Sequence, residues 1–314
     1  MLAIVIGLII GFGIPVQTAI NSRLRDAVGS PFWSSLISFA IGTVGLAVAT
    51  LLSGAALLPS AQVIAAQPWW LWLGGLFGVV YLTSNILLFP KLGSVQTVIF
   101  PVTGQILMGL LIDNGGWFAA PVQSLTVMRV LGAVLVVGGV LITVALPAFL
   151  ARQHDFGGGQ ELVPQGANLW LWRLLGIIAG MLSASQTAVN GHLGVVLGST
   201  AQSALISFAI GTVILVVIVA ILHPHFTLAQ TRPTHRWWMW IGGLLGATFV
   251  LGNAYLAPTI GTGLAVVIVL VGLMVGSLAI DQFGWLSAPR SPVSKVQLLG
   301  LLIMILGVVA IRLL

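Results

Sequence analysis

Leu36-Ile37-Ser38-Phe39-Ala40-Ile41-Gly42-Thr43 and Leu205-Ile206-Ser207-Phe208-Ala209-Ile210-Gly211-Thr212 are the same eight residues, LISFAIGT, written twice 169 positions apart. The match extends outward in both directions. At the same shift Gln17-Thr18-Ala19-x-Asn21 falls on Gln186-Thr187-Ala188-x-Asn190, and Gly29-Ser30 falls on Gly198-Ser199. One residue is then lost and the shift becomes 168. Trp69-Trp70-x-Trp72-x-Gly74-Gly75 now falls on Trp237-Trp238-x-Trp240-x-Gly242-Gly243. Asn85 meets Asn253, Pro90 meets Pro258, Gly93 meets Gly261, and Asp113-x-x-Gly116-Trp117 meets Asp281-x-x-Gly284-Trp285. Apolar low complexity gives scattered coincidences, but not ordered Trp, Asn, Asp and Pro matches in one register. The chain is a duplicated unit.

The repeated unit is built for lipid. Of 314 residues 59% are hydrophobic and 5% are charged, and the mean hydropathy is +1.15. Eleven basic and five acidic residues cannot cover a 32.8 kDa globule, so soluble, disordered and fibrous classes are excluded. Ten stretches are long and apolar enough to span a bilayer: about 3–21, 32–53, 69–89, 94–112, 126–147, 170–189, 201–222, 237–257, 262–280 and 296–313. Barrel strands are half that length and alternate in polarity, so the spans are helices. The expected fold is all-α and integral to the membrane, with ten helices as two five-helix repeats, residues 1–150 and 169–314. The polar stretch 151–168, with Gly157, Gly158, Gly159 and Pro164, divides them as a cytoplasmic linker.

An odd number of helices per unit forces the two copies into opposite orientations. The basic residues agree. Odd-numbered loops carry Arg23, Arg25, Lys91, Arg152, Arg173, Arg232, Arg236, Arg290 and Lys295, and the other side carries Arg129 and Arg312. Arg23 and Lys91 correspond to His192 and Thr259, and Arg236 and Arg290 to Pro68 and Val122, so each half is basic only where its own orientation needs it. Both termini are then expected outside. The first apolar stretch lacks a basic leader, so it reads as an uncleaved helix. The scattered cations form no nucleic-acid patch, and the absence of cysteine removes disulfides, thiolate metal sites and cysteine nucleophiles. No phosphate-binding loop, nucleophile elbow or catalytic acid pair is present, so no enzyme and no cofactor is expected. His223, His225 and His235 share a loop without a carboxylate nearby and are expected to be solvated rather than metal-bound.

Across these residues the chain resembles the drug/metabolite transporter superfamily, and within it the YdcZ-like branch of small bacterial inner-membrane proteins. The resemblance covers both halves. It rests on Gln17 and Asn21, on Ser38-Phe39-x-x-Gly42, on Trp69-Trp70…Gly74-Gly75, and most specifically on Gln105 followed eight residues later by Asp113. The second half keeps Asp281 but has Leu273 at the glutamine position. The resemblance implies ten helices around a central cavity, alternating access, and transport of small organic solutes.

Polar side chains in lipid are costly and need a reason. Symmetric ones serve the shared fold; asymmetric ones serve a substrate, which has no reason to be two-fold. Gln105, Gln96 and Pro101 correspond to Leu273, Leu264 and Val269, and Tyr81 and Ser84 to Phe249 and Gly252. Gln105, Gln96, Tyr81 and Ser84 are therefore substrate-binding candidates, joined by Gln17, Asn85 and Asn253, with an interhelical hydrogen bond as the alternative for each amide. Asn21, Gln186, Asn190, Asp113 and Asp281 are candidate gate residues. For the two acids the alternative, capping of the Asp-x-x-Gly-Trp turn that follows, is preferred. No helix carries a charge at its centre, which disfavours a buried-carboxylate proton antiporter. The expected function is a secondary transporter or facilitator, an exporter of neutral, zwitterionic or aromatic solutes, working as a monomer or weak homodimer in the bilayer. The rivals are a flippase for lipids or lipid-linked solutes and a non-transporting membrane scaffold.

Overall fold

The computed structural model describes residues 1–147, 149, 169–226, 237–287 and 292–313. The expected linker 151–168 lies outside the described residues, as do Arg152, Arg232, Arg236, Arg290 and His235. Every regular element among the described residues is helical: α1 (Leu2–Val28), α2 (Pro31–Leu52), the short α3 (Ala61–Ala66), α4 (Gly74–Gly115), α5 (Val127–Val140), α6 (Leu169–Leu197), α7 (Thr200–Leu222), α8 (Gly242–Ile260), α9 (Thr262–Phe283) and α10 (Lys295–Leu313). Short 3-10 turns precede α4 and α8, and a π-turn, Leu141–Ala145, extends α5. Among the described residues seven helical stretches are long and apolar enough to cross a bilayer, so the protein is an integral membrane helical protein. α6 is long enough as well, at 29 residues, but Arg173, Gln186, Asn190 and His192 dilute its apolar character.

The repeated Gly-Ser pairs explain why α1 runs into α2, and α6 into α7, almost without a loop. Gly29 (φ 75°) and Gly198 (φ 64°) end their helices in the left-handed conformation. The next residue, Ser30 or Ser199, accepts the amide of Trp33 or Gln202 and caps the following helix.

α4 carries helical backbone bonding over 42 residues, yet it cannot be one rod. Tyr81 and Gln105 are hydrogen-bonded, and 24 residues of straight helix would separate them by about 36 Å. Leu88 and Phe100 also meet the same residue, Gly176. The chain therefore doubles back between residue 88 and residue 96, as the expected break between 69–89 and 94–112 required. In the corresponding place Gly261 (φ 85°) separates α8 from α9. The outgoing arm of α4 runs against the direction of α6, and the returning arm, Gln96–Gly115, runs along it.

Packing contacts recur in pairs that obey the sequence shift. Phe39 and Phe208 stack with ring centroids 4.8 Å apart, and the hydroxyls of Thr43 and Thr212 meet at 2.9 Å. Gly180 lies on the carbonyl of Pro101, as Gly11 lies on that of Val269; Gly104 lies on the carbonyl of Ile177, as Gly272 lies on that of Leu8. α5 and α10 pack antiparallel, Gly132 against Gly307 and Gly139 against Gly300. At each crossing a Cβ would strike backbone, so glycine sets how closely the helices approach.

Candidate functional site

Three helical segments bring polar groups together midway along the returning arm of α4. Gln105 is half-buried, and its Nε2 donates to Tyr81 Oη at 3.2 Å and to Ser183 Oγ at 3.1 Å. Tyr81 belongs to the outgoing arm of α4 and Ser183 to α6. Asn85, one turn beyond Tyr81, bonds back to the Tyr81 carbonyl at 2.9 Å. Ser84 is buried beside it. The pseudo-equivalents of Gln105, Tyr81 and Ser183 are Leu273, Phe249 and Ile14, all apolar. The fold is therefore built once without this cluster and once with it. Ser183 was not among the expected site residues, although its pairing with Ile14 carries the same signal of asymmetry.

Gln96 lies nearer the turn of α4. Its Oε1 accepts from Arg173 Nε at 2.9 Å, and the Arg173 guanidinium sits 5.9 Å from the Phe100 ring centroid. One residue before Arg173, Trp172 lies under Lys91, with Nζ 5.9 Å from its ring centroid. Gln96 and Gln105 thus mark two points on one α4–α6 seam.

Four of the symmetric amides, Asn21, Asn190, Gln17 and Gln186, lie against glycines of neighbouring helices. Asn190 is buried; its Nδ2 donates to Ser207 Oγ at 3.1 Å, and its backbone carbonyl accepts from Ser203 at 2.6 Å. Ser34 makes the same bond to the Asn21 carbonyl at 2.9 Å. Asn21 and Asn190 press their side-chain oxygens against Gly242 and Gly74, and both oxygens are buried without a partner. Gln17 and Gln186 lie one turn away, against Gly246 and Gly78. Asn253, like Asn85, bonds back four residues, to Phe249 at 3.0 Å.

Asp113 does not cap the turn that follows it. Its carboxylate is fully buried and accepts three bonds: from the amides of Thr262 (2.7 Å) and Gly263 (3.0 Å) at the start of α9, and from Arg129 Nη2 (3.0 Å). Arg129 in turn donates Nη1 to the Gln123 carbonyl at 2.7 Å. The acid therefore caps a helix 149 residues away, where the positive end of the helix dipole and the guanidinium both favour its charge. Two terminal glycines, Gly116 and Gly284, end α4 and α9 instead. Asp281 has Gln297 where Asp113 has Arg129, and it forms no ion pair among the described residues. His223 and His225 join no group of metal-ligating side chains among the described residues.

Two cavities sit at opposite ends of the α2–α7 pair. The larger, about 750 Å³, is lined by Gly54, Ala55, Ser199 and Gln202 among others. The smaller, about 440 Å³, is lined by Trp33, His223 and Pro224, the counterparts of Gln202, Gly54 and Ala55. Trp33 donates its indole N–H to the Pro224 carbonyl at 3.0 Å and packs edge-on against Phe226. Gln105 lines neither cavity.

No curated protein matches the chain. A solved structure titled "Crystal structure of protein" superposes with a TM-score of 0.68 at 17% identity, covering 99% of this chain and 96% of the other, which shows a shared fold. The family described as "Putative inner membrane exporter, YdcZ" matches twice, over residues 2–142 and 171–310. Two matches that together span nearly the whole chain, on an all-helical membrane scaffold, place it: the protein belongs to the YdcZ family of inner-membrane exporters of the drug/metabolite transporter type.

Proposed function

We propose that the chain is a secondary transporter or facilitator that exports small organic solutes by alternating access between two inverted five-helix halves. The halves are residues 1–150 and 169–314, ten spans in all, with both termini outside. The double family match, the pairwise recurrence of packing contacts, and the antiparallel packing of the equivalent helices α5 and α10 support inversion. The charge bias supports the orientation, and its exception at Arg129 is accounted for: that cation is neutralised by Asp113.

The observation that carries the site is the Gln105–Tyr81–Ser183 cluster against its apolar counterpart Leu273–Phe249–Ile14. An amide, a phenol and a hydroxyl converging on one seam offer donors and acceptors with no fixed charge, which suits a neutral or zwitterionic solute. A solute bound there would replace the bonds that Gln105 now makes to its neighbours. A second reading, a non-transporting membrane protein in which Gln105 is an interhelical lock, draws on those same two bonds. A thermal-shift screen of the purified protein against small metabolites separates the two. Transport predicts a ligand that stabilises wild type but not Gln105→Leu. A lock predicts no ligand and a Gln105→Leu protein that simply melts lower.

A further inference from the structure

One group of side chains on the α4–α6 seam is not needed by the fold and is not used by the central cluster. Lys91, Gln96, Phe100, Trp172 and Arg173 gather at the seam's end, two cations each over an aromatic ring and one amide between. The same places in the other half hold Thr259, Leu264, Ile268, Ala3 and Ile4. There Leu264 and Ile268 are buried in the apolar core, with Ile4 packed against it. A seam that packs well with aliphatic side chains does not need two positive charges.

The geometry leaves those charges available. Gln96 takes up Arg173 Nε, which fixes the plane of the guanidinium, and among the described residues the paired Nη edge makes no hydrogen bond. Among the described residues neither Arg173 nor Lys91 forms an ion pair. Positive-inside bias accounts for cations near a membrane surface, but not for an amide aimed at one nitrogen of a half-buried guanidinium. Arginine held in this way presents a fork that matches two oxygens of a carboxylate or phosphate.

We propose that Arg173, oriented by Gln96 and assisted by Lys91, is an anion-receiving subsite that takes the carboxylate or phosphate of the exported solute as it approaches Gln105. Phe100 and Trp172 provide flanking apolar faces. The inference rests on the α4–α6 seam being the solute path. It narrows the solute to one that carries an anionic group, zwitterions included. Because the mirror-image seam is aliphatic, the anion is engaged from one side of the membrane only.

The test uses the full chain in phosphatidylcholine nanodiscs, with acetate, phenylacetate and inorganic phosphate as probes and phenylacetamide as the uncharged control. Thermal stabilisation is titrated in wild type, Arg173→Gln, Lys91→Gln and Gln105→Leu. The expected result is saturable stabilisation by at least one anion and none by phenylacetamide. The apparent affinity should fall tenfold or more in Arg173→Gln and less in Lys91→Gln. Binding that survives Gln105→Leu but not Arg173→Gln keeps the subsite even if the central site fails; the reverse pattern keeps the central site and removes the subsite. No saturable response to any anion, or an equal response to phenylacetamide, overturns the proposal. So does competition by phosphatidylglycerol nanodiscs that disappears in Arg173→Gln, which would assign the site to a lipid headgroup. A lowered melting temperature in Arg173→Gln that Asp155→Asn/Glu161→Gln reproduces, with no anion response in wild type, would assign the guanidinium to acids of the 151–168 stretch and overturn it too.

Discussion

Replacing Asp113 by alanine is expected to be among the most damaging single changes in the protein. The carboxylate is fully buried and holds three donors, two of them backbone amides at the start of α9 and the third the side chain of Arg129, itself 7% exposed. Alanine strands the guanidinium in a place water does not reach. Breaking one partner of a buried pair costs about 3–5 kcal/mol, because the charge left behind is uncompensated. The two amides lose acceptors as well, and Thr262 is fully buried, so the upper end of that range is expected. The second half indicates the repair: it places Gln297 where Arg129 stands. The double variant Asp113→Asn/Arg129→Gln removes both charges and keeps an oxygen for α9. It should be more stable than the sum of its single variants by about 1–3 kcal/mol. Reversible unfolding in mixed micelles, followed by tryptophan fluorescence, measures both quantities. An Asp113→Ala protein within about 1 kcal/mol of wild type, or strictly additive single variants, would show that the pair does not lock α9 in place.

Three further outcomes follow from the packing. Gly180→Ala drives a methyl into the Pro101 carbonyl, and about 1–3 kcal/mol of lost stability is expected in the same unfolding assay; Gly138→Ala, which meets no neighbour within 4 Å, is the neutral control. Ser207→Ala leaves the buried Asn190 amide without its acceptor and should lower stability by about 1–3 kcal/mol, with transport by the surviving folded protein unchanged. Trp33→Phe removes the bond to Pro224 while keeping an aromatic ring against Phe226; faster amide exchange at the end of α7 is expected, with α9 unaffected.

The repeat made most of the helices legible. Most boundaries read from apolar runs fall within a few residues of the described helices; the expected starts at 69 and 237 fall on the 3-10 turns before α4 and α8, the expected break at 89–94 lies inside α4, and α1 and α6 continue past their expected ends at 21 and 189 to Val28 and Leu197. Those extensions are polar, Ser22-Arg23 and Asn190-Gly191-His192, so hydropathy stops before the backbone does. Asymmetry between the halves singles out Gln105, Tyr81 and Gln96 among the membrane helices, and it singles out Ser183 and Arg173 of α6 in the same way, since Ile14 and Ile4 stand at their places in the other half. Asp113 stands at a helix end as expected, but its partners are the α9 amides and Arg129 and not the turn that follows it. The α9 amides lie 149 residues downstream, and no local pattern encodes a cap across that separation. In the sequence Arg129 stands out only as a cation on the sparsely charged side, since an ion pair across the turn between two helices leaves no mark in composition.

The central claim is that the asymmetric cluster around Gln105 carries the solute. The most direct measurement is counterflow in proteoliposomes with a radiolabelled hit from the metabolite screen, comparing wild type with Gln105→Leu, which copies the residue that the other half uses at that position. Substrate-dependent counterflow in wild type, and its loss in a Gln105→Leu protein that still elutes as a folded species, is the predicted result. Counterflow at the wild-type rate in Gln105→Leu would contradict the account and return Gln105 to a packing role.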